Sequence, residues 1–481
     1  MDWILPDINF YLLSPEIVIL AFALLILILD PLLSRKTKVL SAHLGWIGIV
    51  LAFVFVVKLW NVNQTSFNEM FILDNFACFF KFIFFISSLL VIFASINYLK
   101  QENVFHGEYF CLILFATLGM MLMVSSLNLI VIFLGMEIMS LSLYVLAGFR
   151  RYDLKSNESS IKYFLIGAFA SGFLLYGIAL VYGSTSSTNL AQILLNISHS
   201  GFKSSYMVWM GMGLIIVGFG FKIASVPFHM WAPDVYQGAP TPITAFISAG
   251  PKAAGFAALL RVLLFAFAKY QLDWSVILWV LAALSMTIGN VIALSQNNIK
   301  RLLAYSSIAH AGYVLVALVG GGEQGQSSAM FYLLVYIFMN IGAFTIATAM
   351  GEKNTDLDNY SGLVTRNPAL GVIMAVFLLS LAGFPPFAGF LAKFYVFSAA
   401  VKSGYMGLTI IAVLNSFVAV YYYLRVVVIM FMRPSQVELK PVSLPFFVSL
   451  TLFLTLLGTL WLGIFPQAFL ALAKSSFLIV F

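Results

Sequence analysis

The residues of this sequence that could carry chemistry are a few charged side chains placed deep inside apolar segments. Glu137 and the lysines Lys222, Lys252 and Lys393 each fall near the middle of a stretch apolar enough to cross a membrane, and Lys162 lies nearer one end of such a stretch. One such charge at the centre of a membrane helix costs roughly 2.5–3.5 kcal/mol. Because four unpaired charges would be costly, we expect them to face one another or water.

Polar residues at helical spacing continue these charges into stripes along three of the apolar segments. The stripes are Glu137, Ser140 and Tyr144; Thr244, Ser248 and Lys252; and Ser306, His310 and Tyr313. Residues three or four positions apart share one face of a helix, so each set predicts one polar stripe on an otherwise apolar helix. For the serines, and for Asn290, Asn340 and Asn415, hydrogen bonding between helices is the simpler interpretation.

A row of buried acids and bases can carry protons. Burial disfavours the charged form of a lysine or a carboxylate, and a nearby opposite charge favours it, so a buried pair can release or take up a proton when one partner moves. The row made by Glu137, Lys222, Lys252, His310 and Lys393 therefore predicts a proton relay. Since nothing in it suits hydride transfer, a metal ion or nucleophilic attack, we predict neither catalytic nor metal-binding residues.

The composition of the chain sets the class of protein. Of 481 residues, 62% are hydrophobic and 9% are charged, and the mean hydropathy is +1.02. Soluble domains carry about 25% charged residues, so a water-soluble protein is excluded. The net charge of +7 is spread along the chain and makes no stripe for nucleic acid. The sequence has no GxxxxGKS/T, GxGxxG or HExxH motif and no cysteine quartet, so any redox or ATP chemistry is assigned to a partner chain.

Fourteen apolar stretches are long enough to cross a membrane as helices, which need roughly 20 residues. They lie near residues 13–34, 39–60, 76–97, 108–126, 128–149, 158–183, 206–238, 242–268, 273–295, 302–321, 325–351, 368–401, 405–432 and 443–463. The stretches 206–238 and 368–401 are too long for one straight helix. Each contains a proline break, at Pro227 in the first and at Pro385 and Pro386 in the second. Non-helical backbone inside a membrane persists only where protein or a wet cavity covers it, so two broken helices indicate a transport site.

The breaks recur at similar places in two consecutive five-helix units. Residues 108–268 hold spans four to eight and residues 273–432 hold spans nine to thirteen, flanked by 1–107 and 433–481. Because five is an odd number, the second unit must cross the membrane upside down relative to the first. We therefore expect an all-α polytopic membrane protein of about fourteen transmembrane helices, with two inverted five-helix repeats and two broken helices. A chance likeness among similar spans is the alternative.

Basic residues outside the spans predict the orientation of the chain. With the N-terminus outside, thirteen basic residues of loops and span ends face the cytoplasm and five face the other side. Both termini are then expected on the outer side. Lys81, Arg261 and Arg425 lie within about two turns of a span end, and snorkelling of their long side chains to the membrane surface explains them.

Six segments resemble the antiporter-like membrane subunits of respiratory complex I, and most of all the subunit N group of bacterial proton-translocating NADH:quinone oxidoreductases. They begin at Ser156 (SNESSIKYFLIGA), Phe221 (FKIASVPFHMWAPDVYQGAPTP), Ser248 (SAGPKAAGFA), Asn298 (NIKRLLAYSSIAHAGY), Leu381 (LAGFPPFAGFLAKFY) and Asn415 (NSFVAVYYYLR). The resemblance runs from about residue 10 to residue 465. It implies the same fold of fourteen helices with two inverted repeats.

The resemblance also implies roles for individual residues. The positions that match the family's proton-translocating residues are Glu137, Lys162, Lys222, Lys252, His310 and Lys393. In the implied mechanism, quinone reduction elsewhere in the complex perturbs Glu137 and Lys222, and a proton then passes toward Lys252, His310 and Lys393. Lysine at position 393, where a sister subunit carries glutamate, favours the subunit N group.

The resemblance implies that this chain works only with partners. These are neighbouring antiporter-like and other membrane subunits, lipid, and, indirectly, the subunits of a peripheral arm. FMN, iron–sulfur clusters and quinone are expected on partner subunits and no cofactor on this chain. The expected location is the bacterial cytoplasmic (inner) membrane.

Three other functions are compatible with parts of the pattern. A subunit of a multi-subunit sodium/proton antiporter or of a membrane-bound hydrogenase shares the motifs of the two broken helices but uses no quinone. A photosynthetic relative takes electrons from ferredoxin. A purely structural scaffold would gain nothing from four central charges, so the charges argue against it. The partner subunits recovered with the chain would discriminate these possibilities.

Overall fold

Helices make up most of the residues that the computed structural model describes, which are 8–34, 37–199, 206–434 and 444–478. The described residues contain nineteen α-helices and one antiparallel hairpin of strands β1 (Gln64–Ser66) and β2 (Phe71–Leu73). Arg35, Lys36, Lys203 and Lys440, which contribute to the predicted orientation, lie outside the described residues, as do both termini. The ends of the predicted units 1–107 and 433–481 are therefore described only in part.

The first helices pack side by side ahead of the two predicted repeats. They are α1 (Ser14–Leu29), α2 (Val39–Lys58) and α3 (Asn75–Gln101), with a short 3-10 turn at Asp30–Leu32. Asp74 begins α3 by accepting a hydrogen bond from the backbone amide of Ala77 at 2.7 Å. Such a cap satisfies an amide that the first turn of a helix leaves unpaired.

The middle of the chain forms the next seven helices. They are α4 (Glu108–Val124), α5 (Leu129–Ala147), α6 (Leu154–Thr185), α7 (Leu190–His199), α8 (Tyr206–Ile223), α9 (Trp231–Gly238) and α10 (Thr241–Phe265). Helix α7 was not expected from hydropathy because, at 10 residues, it is too short to span a membrane. It begins after Asn189, whose side chain accepts from the amide of Ala191.

The remaining helices complete the fold. They are α11 (Gln271–Ala293), α12 (Ile299–Gly320), α13 (Gly322–Met350), α14 (Leu363–Arg366), α15 (Pro368–Ala382), α16 (Ala388–Lys402), α17 (Met406–Met432), α18 (Phe446–Ile464) and α19 (Gln467–Lys474). Short 3-10 turns lie at Ala268–Tyr270 and Leu357–Tyr360.

The number of apolar helices agrees with the hydropathy pattern. By length and composition, 12 helices of the described residues could cross a membrane, and two shorter apolar helices, Glu108–Val124 and Pro368–Ala382, coincide with two further predicted spans. The prediction of an all-α chain with many apolar spans is confirmed. The total of fourteen crossings and the inverted repeats remain predictions.

The most buried helices lie at the centre of the bundle. Helices α10, α12 and α13 are covered on nearly all sides, whereas α1, α6, α17 and α18 expose one face. A helix that is apolar all round is stable only inside a large protein or a membrane. Large apolar side chains such as Phe169 and Phe417 cover the outer faces, where they are about three-quarters exposed. Lys252 and His310 therefore lie on two of the three most buried helices.

Two helices are interrupted at the proline positions. Helix α8 ends at Ile223 and α9 begins at Trp231, on either side of Pro227. Helix α15 ends at Ala382 and α16 begins at Ala388, on either side of Pro385 and Pro386. Gly383, which closes α15, has φ of 93°, a conformation that glycine adopts without steric cost.

Two short backbone bridges occur at corresponding places in the expected repeats. Asn128, which caps α5, pairs with Asn189, and Asn298, which caps α12, pairs with Asp356. Each bridge ties the start of the second helix of a unit to the segment that follows the third helix. An inverted repeat would produce this correspondence, and the repeat itself stays a prediction.

Candidate functional site

Lys222 lies in the last turn of α8, just before the break, and its side chain is buried. Its ammonium donates to Oγ of Ser140 on α5 at 2.8 Å and to the hydroxyl of Tyr163 on α6 at 3.3 Å. The ring of Tyr163 also faces the ammonium, with 5.4 Å from Nζ to the ring centroid. All these partners are neutral, so the ammonium of Lys222 contacts only hydroxyls and an aromatic face among them.

Glu137 lies on α5, one turn before Ser140, and its side chain is half-buried. Its carboxylate accepts a hydrogen bond from Oγ of Ser171 on α6. Among the described residues, no basic side chain forms an ion pair with it within 4.0 Å. Glu137 and Lys222 are thus joined through one turn of α5, by way of Ser140, and not by direct contact.

Lys162 lies on α6 but apart from the other lysines. Its ammonium pairs with Glu158 at 2.7 Å and with Asp234 on α9 at 2.7 Å, and its side chain is 40% exposed. Arg301, at the start of α12, binds the other oxygen of Asp234 at 2.8 Å. A polar cavity of about 120 Å³ opens beside Glu158 and Asp234. The structure therefore joins Lys162 to an exposed ion-pair cluster and does not bring it to Glu137.

Lys252 occupies the middle of α10, where its side chain is buried. Its ammonium donates to Oγ of Ser307 on α12 at 2.8 Å and to the carbonyl of the same residue at 3.1 Å. One turn further along α10, a methyl group at Gly255 would lie 3.5 Å from Cγ of Lys222. Because Gly255 has no side chain, Lys222 packs against α10 only one turn from Lys252.

His310 lies one turn beyond Ser307 on α12, and both of its ring nitrogens face hydroxyls. Nδ1 lies 2.6 Å from the hydroxyl of Tyr332 and Nε2 lies 3.1 Å from that of Tyr423. A cavity of about 10 Å³ lies between Lys252, Ser307, His310 and Tyr336. The side chains of Lys252 and His310 therefore line the same small cavity.

Lys393 lies in α16, just after the second break, and is buried. Its ammonium donates to the carbonyl of Ala382, the last residue of α15, at 2.9 Å and to Oγ of Ser416 on α17 at 2.9 Å. The ring of Tyr313 lies beneath it, with 4.8 Å from Nζ to the centroid. Tyr313 in turn packs against His310, at 5.7 Å between the ring centroids. Lys393 thus ends a polar row that passes through His310.

The hydroxyl partners of the buried lysines and the histidine include residues that the sequence did not reveal. These residues are Tyr163, Ser307, Tyr332 and Tyr423. A tyrosine on an apolar helix usually packs as a core aromatic, and nothing in its spacing distinguishes it from one that binds a lysine. Ser140 could be found because it lies on the same stripe as Glu137.

The snorkelling interpretation was wrong for Lys81 and Arg261. Both side chains are fully buried and ion-paired: Lys81 with Glu16 on α1 at 2.6 Å, and Arg261 with Asp74 at 2.8 Å. Each acid lies at or near the first turn of its helix, at the same end of the bundle as the cation that it binds. Arg425 instead donates to the carbonyl of Leu294 at 3.2 Å and so covers the end of α11.

The described residues offer no metal site, since no group of three or more His, Cys, Asp or Glu side chains lies close enough to hold an ion. The two cysteines, Cys78 and Cys111, are free and buried.

Comparison with known proteins assigns the family. The model of the family described as "NADH:quinone oxidoreductase/Mrp antiporter, TM" matches residues 126–419. The NADH-quinone oxidoreductase subunit N of Trichlorobacter lovleyi is 50% identical over 98% of this chain and 97% of its own length. Subunit N 1 of Thermodesulfovibrio yellowstonii is 44% identical over 94% of this chain and 96% of its own length.

Solved structures share the whole fold. A chain of respiratory complex I from Thermus thermophilus matches with a TM-score of 0.80 and 33% identity, covering 96% of this chain and 99% of that one. Chains of an archaeal membrane-bound sulfane sulfur reductase and of the Mrp complex from Dietzia sp. DQ12-45-1b match with TM-scores of 0.85 and 0.82. Their identities of 24% and 21% show the fold alone. The chain is thus a multi-pass membrane protein that belongs to the antiporter-like subunit family of NADH:quinone oxidoreductases, in its subunit N group.

Proposed function

We propose that this chain is the proton-translocating membrane subunit of an NADH:quinone oxidoreductase, in which electron transfer on partner subunits drives proton transport. The identity of 50% to a subunit N along nearly the whole chain supports the complex. The geometry supports the role: Lys222, Lys252 and Lys393 are buried and held by neutral hydroxyls, carbonyls and rings. Each can therefore lose a proton without leaving a bound carboxylate unpaired.

The proposed route runs along the row from Glu137 to Lys393. A change of charge or position at Glu137 acts on Lys222 through Ser140, which lies one turn away on the same helix. The proton then moves toward Lys252 and, by way of the small cavity beside Ser307, to His310. The tyrosines on both sides of the imidazole and the ring of Tyr313 lead on to Lys393.

Lys162 takes a different part in this proposal. Its ion pair with Asp234 holds α6 against α9, the short half of the first broken helix. The adjoining polar cavity gives the cluster access to water, so we assign Lys162 to the side from which protons are taken up. Pro227, Pro385 and Pro386 supply the breaks that allow non-helical backbone beside Lys222 and Lys393.

The wider setting is part of the same proposal. The chain lies in the bacterial cytoplasmic membrane with both termini outside, and protons move from the cytoplasm to the outer side. Other membrane subunits flank it, and FMN, iron–sulfur clusters and quinone are held by partner subunits. The two units 108–268 and 273–432 are inverted repeats, for which the paired bridges at Asn128 and Asn298 are support.

The proposal is tested by Glu137→Ala and Lys222→Ala in the intact complex, reconstituted in vesicles. We expect NADH-driven proton uptake to fall by about a hundredfold in each, as is typical when a proton-transfer group is removed. Lys402→Ala, which removes an exposed lysine at the end of α16, is the control. Wild-type pumping in both variants would contradict the assigned roles. Recovery of the native complex without flavin and iron–sulfur subunits would contradict the complex itself.

A further inference from the structure

Glu352 is a buried acid just after the end of α13, outside the row of lysines. One carboxylate oxygen accepts from the backbone amide of Thr241 at 2.6 Å, from the hydroxyl of Thr241 at 2.7 Å and from that of Tyr98 at 2.9 Å. The other oxygen pairs with Lys300 at 3.1 Å and faces Arg150 at 3.8 Å. Its side chain is only 6% exposed. Four residues thus surround this carboxylate with donors.

These donors come from the ends of separate helices. Thr241 begins α10, Lys300 begins α12, Tyr98 lies in the last turns of α3, and Arg150 lies between α5 and α6. Lys300 also donates to the carbonyl of Ala239 at 2.7 Å, at the end of α9. The carboxylate therefore ties elements of both predicted repeats together at one end of the bundle.

Helices α10 and α12 run from the residues around Glu352 to the centre of the bundle. Lys252 lies eleven residues beyond Thr241 on α10, and His310 lies ten residues beyond Lys300 on α12. At 1.5 Å per residue, each lies about 15 Å along its helix from the residue of that helix that binds Glu352. If the starts of α10 and α12 slip past each other, Lys252 is therefore expected to move relative to Ser307 by about the length of that slip.

We infer that Glu352 is a positioning residue for proton transfer at Lys252. Its carboxylate holds the starts of α10 and α12 in one register, and this register sets the contact between Lys252 and Ser307. The inference rests on the proposed function, because it assigns to Glu352 an effect on a step that the proposal gives to Lys252. A misplacement of about 1 Å is enough to slow a positioned proton transfer severely.

Two variants in the intact complex test this inference. Thr241→Val removes one hydroxyl contact of Glu352 and keeps the charges paired, whereas Glu352→Gln removes the charge. We expect pumping per assembled complex to fall about fivefold in the first and tenfold or more in the second. Assembly is measured separately from the partner subunits recovered on a native gel, so that loss of folding is not mistaken for loss of register.

Each variant has a matched control in the same chain. Thr345→Val removes an equally buried hydroxyl that binds only its own helix, at the carbonyl of Ile341. Glu16→Gln removes the carboxylate of another buried ion pair, which joins α1 to Lys81 on α3. Both controls should pump at the wild-type level per assembled complex.

The outcomes separate this inference from the proposed function. If Thr241→Val pumps like Thr345→Val, the positioning role is wrong, whether or not Glu352→Gln assembles. If Glu352→Gln assembles and loses no more pumping than Glu16→Gln, it is also wrong. Lys252→Met is measured alongside: normal pumping in that variant would overturn the role of Lys252 itself, independently of Glu352.

Discussion

Two sets of buried cations in this chain differ in what holds them. The first set binds carboxylates at 3.1 Å or less and consists of Lys81 with Glu16, Arg261 with Asp74, and Lys300 with Glu352. The second set binds hydroxyls, carbonyls and aromatic rings and consists of Lys222, Lys252 and Lys393. The first set lies near the helix ends and the second at the middle of the bundle or beside the helix breaks.

The difference separates cations that stabilise from cations that can change charge. A buried cation paired with a carboxylate cannot lose its proton, or its side chain, without leaving an unpaired buried anion. A lysine held by hydroxyls leaves only neutral groups behind, which can pair with one another or with water. We therefore expect removal of the first kind to cost stability and removal of the second kind to cost transport. For the pair of Lys300 with Glu352 we expect a loss of transport as well, because Glu352 positions Lys252.

The largest effect on stability is expected for Lys81→Met. This variant leaves Glu16 buried without its partner, which typically costs about 3–5 kcal/mol. The amount of assembled complex that survives a temperature ramp in mild detergent measures the loss. The double variant with Glu16→Gln should recover most of it, because no charge is then left unpaired. A single variant as stable as the wild type would remove Lys81 from the first set.

The next largest effect, on proton pumping and not on stability, is expected for Lys252→Met. Pumping should fall about a hundredfold, since a positioned proton-transfer group is lost. The same temperature ramp should show little change, because Ser307 keeps its hydrogen bond to the carbonyl of Ala304 at 2.8 Å. Loss of stability as large as in Lys81→Met would mean that the two sets do not differ.

The smallest expected effect is the pH dependence of the stability that Glu352 contributes, which appears only in acid. Burial alone would raise the pKa of Glu352, but Lys300, Arg150 and the donors of Thr241 outweigh it and lower the pKa to about 2. An unfolded glutamate titrates near pH 4.3. Because the folded pKa is the lower one, the contribution of Glu352 to stability is complete above about pH 4.3 and is lost as the pH falls toward 2.

The pH prediction is checked by the survival of the detergent-purified complex across pH 8 to pH 3. The wild type and Glu352→Gln should differ by a constant amount from pH 8 to about pH 5 and converge only below that. A difference that changes around neutral pH would show that Glu352 titrates there. That result would contradict a pKa lowered by Lys300, Arg150 and Thr241.

The sequence predicted where most of the buried charges lie, but not which residues they contact. The positions of Lys222, Lys252 and Lys393 inside apolar stretches, and the breaks at Pro227 and Pro385, could be found because charge and proline are rare there. The sequence also suggested that Lys81 and Arg261 snorkel, since both lie near span ends. That was wrong because their acid partners, Glu16 and Asp74, lie on other helices and are not visible from local spacing.

The sequence by itself determined that the chain crosses a membrane many times and that a few lysines lie where charge is costly. These are local properties, because the transfer of a helix into lipid depends on the residues within that helix. Only the tertiary structure decided which neighbour each charge meets. Arg261 and Asp74 are 187 positions apart, and Glu352 and Thr241 are 111 apart. Such contacts depend on how each helix is rotated and packed against the others, which no single segment specifies.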